Sequence, residues 1–373
     1  MEKISKSRII LICGMTLLTS CASDGPERPS GPEEGDRTPL EVIADVGGST
    51  RATATAFEAG DSIGITVYER YNDSDTKSAI DATDVMYRYQ NVLYTKAEDD
   101  ENGAGVFRAD KSGGLFFENT AKYSFTAYYP FCGKPGQDNK LQIDTYVSQN
   151  DNARKKLDIM YAKSVFSKSE SEQDPPKKLS FTGTSAFRHL MSKVVFRVYL
   201  DKKSFLDYVD DAGNKVLDLD TYLANSQTHV TGLVHKAEFD TRTGVLTPAG
   251  TPDAAPRDDW NLTTAKALRK IHIITTDENG NALAEADQYE ALDYEVIVIP
   301  QKSDNVVTMS LVNVDGTAFK SQPFEIDFKA GFTYVVKMKV CRTGVTIGFE
   351  ECLIEGWKAG DDISVDTPTG DKD

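Results

Sequence analysis

Two places in this chain are suited to covalent chemistry, and in both the chain is the substrate. Cys21 follows Leu18-Thr19-Ser20 at the end of an apolar run, and Lys3, Lys6 and Arg8 precede that run. A basic start, a short apolar stretch and a small-residue cut site make a secretory signal. Arg51 follows Gly47-Gly48-Ser49-Thr50 and precedes Ala52. A glycine-rich connection between two candidate strands is where proteases reach a backbone. The competing reading of Arg51 is an ordinary surface arginine in a loop. Chemistry performed by the chain is harder to find. There is no GxSxG, HExxH or phosphate-loop pattern. His189, His229, His235 and His272 are scattered, and no CxxC occurs, so no ligand set for a metal is expected. His189, close after Phe187, reads as a hydrogen-bonded packing residue. Asp61 and Asp158 read as isolated carboxylates. Asp73-Ser74-Asp75, with Asp81 and Asp84, lacks the glycine and closing glutamate of a calcium loop and reads as a solvated acidic loop. No catalytic residue and no cofactor are expected.

Leu18-Thr19-Ser20-Cys21 resembles a bacterial lipobox. The resemblance implies that residues 1–20 are removed and that the Cys21 thiol is lipidated. The apolar run at 9–18 is too short to cross a bilayer core of about 30 Å as a helix, so acyl chains would supply the attachment. A plain signal peptide with an incidental cysteine is the alternative. Residues 21–39 hold Gly25-Pro26, Pro29-Ser30-Gly31-Pro32 and Gly35. They read as a solvated tether that lifts the folded part off the membrane.

The 373 residues carry a formal net charge of −16, with 39% hydrophobic and 27% charged residues. The part after the signal is long enough for two domains. Its acidity disfavours nucleic acid and anionic lipid as partners. Cys132, Cys341 and Cys352 remain once Cys13 and Cys21 are set aside. Three thiols are too sparse for a disulfide scaffold and are expected to be buried and free. A Cys341–Cys352 bridge is left open, because sequence does not fix the Cα separation.

From residue 40 the pattern has period two. Leu40-x-Val42-x-Ala44-x-Val46 alternates as a half-buried strand does. So do Ile63-x-Ile65-x-Val67, Tyr123-x-Phe125-x-Ala127-x-Tyr129, Val194-x-Phe196-x-Val198-x-Leu200 and Phe324-x-Ile326-x-Phe328. Further strands are expected at 271–275, 294–299, 306–314, 334–340 and 345–349. Helical signals are few: a short helix or loop at 151–161 and one turn at 204–209. Short strands separated by Gly, Pro, Asn and Asp turns predict an all-β protein built of sandwiches. The expected organisation is an N-terminal domain over 40–190 and a C-terminal domain over 191–373.

Several segments together resemble the fimbrillin family of Bacteroidales, the subunits of type V pili. They include Thr50-Arg51-Ala52, Phe57-Glu58-Ala59-Gly60-Asp61-Ser62-Ile63-Gly64, Phe125-Thr126-Ala127-Tyr128-Tyr129-Pro130 and Leu157-Asp158-Ile159-Met160-Tyr161-Ala162. Further on come Phe187-Arg188-His189-Leu190-Met191, Val298-Ile299-Pro300-Gln301, Ala330-Gly331-Phe332-Thr333-Tyr334 and Ile354-Glu355-Gly356-Trp357. The resemblance implies two tandem transthyretin-like β-sandwich domains. It implies a surface-exposed lipoprotein of the cell outer membrane and a trypsin-like cut between Arg51 and Ala52. The partners it implies are other pilus subunits, the lipid anchor, and a host or bacterial surface ligand. That cut would release the strand bearing Leu40, Val42, Ala44 and Val46 and open a groove that a neighbouring subunit's strand fills. Beyond Trp357 the tail offers only Ile363 and Val365 as alternating apolar residues, which points to a tip, anchor or accessory subunit. The rival reading is an uncleaved lipoprotein that binds a glycan through Tyr68, Tyr71, Tyr87, Tyr89 and Trp260. Cys21→Ala is expected to remove the acyl chains, each buried CH₂ of which contributes about 0.8 kcal/mol, and to shift the protein from the membrane to the soluble fraction on cell fractionation.

Overall fold

Period-two alternation sends successive side chains to opposite faces of a strand, and it carries most of this chain into sheets. The computed structural model describes residues 39–47, 56–71, 77–79, 90–110, 113–116, 122–132, 140–173, 177–200, 219–254, 266–273, 287–313, 316, 318–341, 344–351 and 358–359. The first half supplies β1 (Val42–Ala44), β2 (Ser62–Tyr71), β3 (Lys77–Ala79), β4 (Val92–Asp99), β5 (Gly105–Arg108), β6 (Lys122–Tyr129) and β7 (Lys140–Asp144). Then come helix α1 (Asp151–Leu157), β8 (Met160–Ser167), the short α2 (Lys168–Ser171), β9 (Leu179–Phe181) and β10 (Arg188–His189). The second half supplies β11 (Ser192–Leu200), α3 (Leu219–Ala224), β12 (Gln227–Thr231), β13 (Lys236–Asp240), β14 (Val245–Ala249), β15 (Lys266–Ile273), β16 (Asp287–Val298) and β17 (Gln301–Val312). It ends with β18 (Ala318–Lys320), β19 (Phe324–Phe328), β20 (Phe332–Cys341), β21 (Gly344–Glu351) and β22 (Lys358–Ala359).

A nine-stranded sheet runs β10-β8-β6-β2-β4-β5-β1-β9, with β3 beside β2. β9 returns next to β8, so the sheet curls around its own core. Ile63 and Ile65 of β2, Phe125 and Ala127 of β6, and Phe107 of β5 fill that core. Their alternate neighbours face outward or onto other elements.

The second layer pair is a six-stranded sheet, β15-β16-β11-β20-β21 with β22 beside β20, facing a four-stranded sheet of β12-β17-β18 with β19. β11 lies parallel to β20 and antiparallel to β16. Val194, Phe196 and Val198 meet Tyr294, Val296, Val336 and Met338 on one side and Val307, Met309 and Ile326 on the other. Tyr294 keeps its hydroxyl in this core by accepting a 3.0 Å bond from Thr228 Oγ1. Burial pushes its phenol pKa up to about 12.

The chain leaves the nine-stranded sheet after β10 and enters the six-stranded one at β11. β7 reaches across this step to pair with β13, giving a three-stranded sheet β14-β13-β7. Tyr128, Ile143, Phe239, Ile297 and Ile299 form the apolar contact beneath it. The β13–β14 turn closes at Gly244, whose φ of 77° suits glycine. A Cβ there would come 2.3 Å from the Tyr161 ring, and the Tyr161 hydroxyl donates to the Arg242 carbonyl at 2.9 Å.

The segment read as a helix or loop at 151–161 divides into α1 and the start of β8. Asn150 caps α1, its side-chain oxygen accepting from the Ala153 N–H at 2.9 Å. The turn expected at 204–209 lies outside the described residues. Cys132 is free of any disulfide; it and Cys341 are half-buried, so they are less enclosed than expected, and Cys352 lies outside the described residues. Cys132 Sγ donates to the Pro130 carbonyl, and burial pushes its thiol pKa up.

β15 accompanies β16 only as far as the Lys266↔Tyr294 pair. Beyond it, among the described residues, the edge of β16 is met by residues 149–154. The buried Gln149 amide accepts from the Ile297 N–H at 2.7 Å and donates to the Ile297 carbonyl at 2.9 Å. Arg154 donates to the Glu295 carbonyl at 3.3 Å. Gln149→Ala would leave both Ile297 groups without these bonds. An unsatisfied buried polar group costs roughly 1–3 kcal/mol, and a loss of stability of that size is expected in urea unfolding.

Candidate functional site

β1 is a three-residue strand of the first sheet, enclosed and paired on both sides. Val42, Ile43 and Ala44 stand antiparallel to Phe107, Val106 and Gly105 of β5. The same residues stand parallel to Leu179, Ser180 and Phe181 of β9. The pairing continues past the strand ends. Leu40 N–H donates to the Leu115 carbonyl at 2.9 Å, Asp45 N–H to Phe181 at 3.1 Å, and Gly47 N–H to Phe187 at 2.7 Å. Val46 bridges Phe187 in parallel. Val42 and Ala44 are fully buried, Val46 is 5% exposed and Leu40 packs at the rim. The alternation read from the sequence is the alternation that faces the core.

The outward face of the strand is held electrostatically. Glu41 pairs with Arg108 of β5 at 2.8 Å and with Lys178 just before β9. One carboxylate thus ties β1 to the neighbours on both of its edges. Burial opposes ionisation of Glu41, but hydrogen bonds and charge from Lys178 and Arg108 outweigh it and hold the carboxyl below its ordinary range.

Arg51 and Ala52 lie in 48–55, outside the described residues, as do Cys21 and the tether. The chain is described again from Ala56. Phe57 then seats its ring edge-on against Phe107 at 5.1 Å, Phe187 at 5.2 Å and Tyr129 at 5.4 Å. The turn before β2 is built by Gly60, at φ 89°, and Asp61. Asp61 accepts from the Glu58 N–H at 2.7 Å and from the Tyr129 hydroxyl at 3.2 Å. Asp61 was expected to be isolated and is not: it organises the turn. Asp158 was expected to be isolated too, and its Oδ1 lies 2.8 Å from His189 Nδ1. His189 is the packing histidine that the sequence suggested, buried and hydrogen-bonded. A cavity of about 480 Å³ opens here, with Val46, Ala56, Phe57, Tyr129 and Asp158 in its wall.

The side chains of Tyr68, Tyr71, Tyr87, Tyr89 and Trp260 lie outside the described residues. Among the described residues no group of three or more His, Cys, Asp or Glu is placed to hold a metal ion, and no helix is long and apolar enough to cross a membrane. The residues missed by sequence reasoning are those that grip β1: Arg108, Lys178, Leu179 and Phe181. Leu179-x-Phe181 alternates, but three residues give too short a period to stand out.

The geometry defines a β-rich protein distinguished by one short strand clasped between two others and followed by a connection that carries an arginine. The chain belongs to the fimbrillin-like family, whose sequence model matches residues 50–357. It is 27% identical over 360 residues to the "Putative fimbrium subunit Fim1C" of Bacteroides uniformis, covering 94% of this chain and 95% of that one. A crystal structure described as a "putative cell adhesion protein" from Bacteroides ovatus shares the fold, with a TM-score of 0.54 at 18% identity over 87% of this chain and 99% of that one. Another so described, from Bacteroides uniformis, has a TM-score of 0.49 at 20% identity over 86% and 98%.

Glu41→Gln removes the charge that binds both neighbours. A partly exposed pair of this kind contributes up to about 1 kcal/mol. Because the folded-state pKa of Glu41 is lowered, its contribution is fully present above the ordinary carboxylate pKa and is lost as pH falls through the folded value. Thermal unfolding should therefore separate wild type from Glu41→Gln at pH 7 and bring the two together at strongly acidic pH.

Proposed function

We propose that this protein is a structural or adhesive subunit of a cell-surface fimbria. In this reading it is exported as a lipoprotein through Cys21 and carried to the outer membrane. It is then cut between Arg51 and Ala52 and joined to other subunits by strand exchange. The domains at 40–190 and 191–373 are then two tandem β-sandwiches of transthyretin-like type, linked through the β7–β13 pairing. Membership of the fimbrillin-like family supports the reading at its coarsest level. The observation that carries the assembly mechanism is the two-sided seat of residues 40–46 between β5 and β9.

Burying a valine or leucine fully is worth roughly 1.5–3 kcal/mol. Val42 and Val46, with Leu40 at the rim, therefore retain the strand while it is tethered. After a cut at Arg51 the segment is held only by non-covalent contacts and can be displaced. Its departure uncovers N–H and C=O groups on β5 and β9 together with the pockets of Val42, Ala44 and Val46. An edge of this kind is a template for another chain. An incoming strand with apolar residues at alternate positions would restore the ladder and the core together. Repetition of a head-to-tail contact that does not close produces a filament.

β21 is paired with β20 from Tyr334↔Glu351 to Cys341↔Gly344, so it could serve as a donor only by leaving its own sheet. The test is limited digestion of the purified precursor with an arginine-specific protease, followed by light scattering. Wild-type protein is expected to form oligomers after cleavage, and Arg51→Ala to stay monomeric under the same treatment. Cleaved wild type that remains monomeric at high concentration would contradict strand exchange through this groove.

A further inference from the structure

At one rung of the seat of β1 the two neighbouring strands each offer a cation. Arg108 ends β5, and Lys178 stands one residue before β9. Glu41 satisfies both with one carboxylate. Its Oε2 accepts from Arg108 Nε at 2.9 Å, and its Oε1 meets the Lys178 ammonium. The backbone fixes this placement. The Leu179 N–H donates to the Glu41 carbonyl at 3.1 Å, and the Leu40 N–H donates to the Leu115 carbonyl at 2.9 Å. Val42 points into the core, so the residue before it points outward. Whatever residue occupies this rung therefore has its side chain between Arg108 and Lys178.

Removing β1 changes the balance of charge there. Arg108 also pairs with Glu98 of β4 at 2.6 Å. Among the described residues the carboxylate partner of Lys178 is Glu41. Departure of the strand would leave two cations beside the one carboxylate of Glu98, in a chain whose formal net charge is −16. The vacated groove then joins the apolar pockets of Val42, Ala44 and Val46 to a small positive rim.

We propose that this rim is a specificity determinant: the groove selects an incoming strand with Asp or Glu immediately before its first buried residue, and Arg108 and Lys178 bind that carboxylate. The proposal rests on the strand-exchange reading given above. The occupant is a strand of another subunit running in the direction of β1, parallel to β9 and antiparallel to β5. Main-chain bonds give such a strand affinity without regard to its sequence, and apolar alternation is shared by many strands. A charge at a fixed rung adds what they lack. It also sets register. A slip of one residue turns the apolar set outward. A slip of two keeps that set inward but carries the carboxylate about 6.6 Å along the groove, away from both cations. A strand with lysine at this rung meets two like charges, so the pair that attracts one partner rejects another.

The experiment cleaves the purified full chain with an arginine-specific protease and separates the released segment. The affinity of synthetic peptides is then measured by fluorescence anisotropy. The first peptide repeats residues 39–47, and the others carry Glu41→Gln, Glu41→Lys or Val42→Asp. At low salt the unaltered peptide is expected to bind about fivefold more tightly than Glu41→Gln, as one partly exposed ion pair allows, and Glu41→Lys is expected to bind more weakly still. The margin should shrink as salt rises. Val42→Asp should abolish binding, because its carboxylate would enter an apolar pocket. Lys178→Gln in the protein should remove most of the preference for Glu41, and the peptide series on wild type stands without that variant. Equal affinity for the unaltered and Glu41→Gln peptides overturns this proposal alone. So does a preference that survives high salt or a Val42→Asp peptide that binds as well as the first. An unaltered peptide that does not bind, or a chain from which no segment ending at Arg51 can be released, overturns it together with the strand-exchange reading.

Discussion

The first sheet depends on a pairing between chain segments far apart in sequence. Residues 42–44 lie between 105–107 and 179–181, antiparallel to one and parallel to the other. β9 has few other ways to attach. It is three residues long and its register is set by β1. Phe181 and Phe187 complete the core on that side, and both segments are hydrogen-bonded to 45–47. The strand therefore acts as a spline: it satisfies two edges, fills two pockets and aligns the aromatic cluster around Phe57.

The two sheets are held by ladders of very different length. The six-stranded sheet is held by long ladders: eight Cα partner pairs join β11 to β16 and eight join β11 to β20. The part-buried Arg197–Asp293 fork, with both bonds at 2.8 Å, ties its outer face. β1 holds three pairs on each side. Free energy of local opening follows the amount of apolar contact and protected backbone in a segment. In the proposed assembly, this short strand is the element whose departure disturbs the remainder least. The β7–β13 pairing and the Gln149 bridge join the two halves independently of it.

Much of this was legible in the sequence, for physical reasons. The strands with three or four alternating apolar teeth, among them β2, β6, β11, β19 and β20, announce themselves because one face of each is fully buried. The inward set Val42, Ala44 and Val46 was readable on the same grounds. The partners of β1 were not. β5 and β9 are too short for alternation to stand out from chance, and pairing across 60 or more positions leaves no local trace. The crossing of β7 to β13 was hidden in the same way. Asp61 and Asp158 looked isolated because their partners, Tyr129 and His189, meet them only after folding. Cys21 and Arg51 are the reverse case: their reading comes from sequence context.

Amide hydrogen exchange, compared before and after arginine-specific cleavage, tests the central claim most directly. If residues 40–46 are the removable filler of the first sheet, amides at 105–107 and 179–181 should lose protection once the chain is cut and the released segment is separated. Those of β11, β16 and β20 should keep theirs. Unchanged protection at 105–107 and 179–181, or loss spread over both halves, would contradict the account.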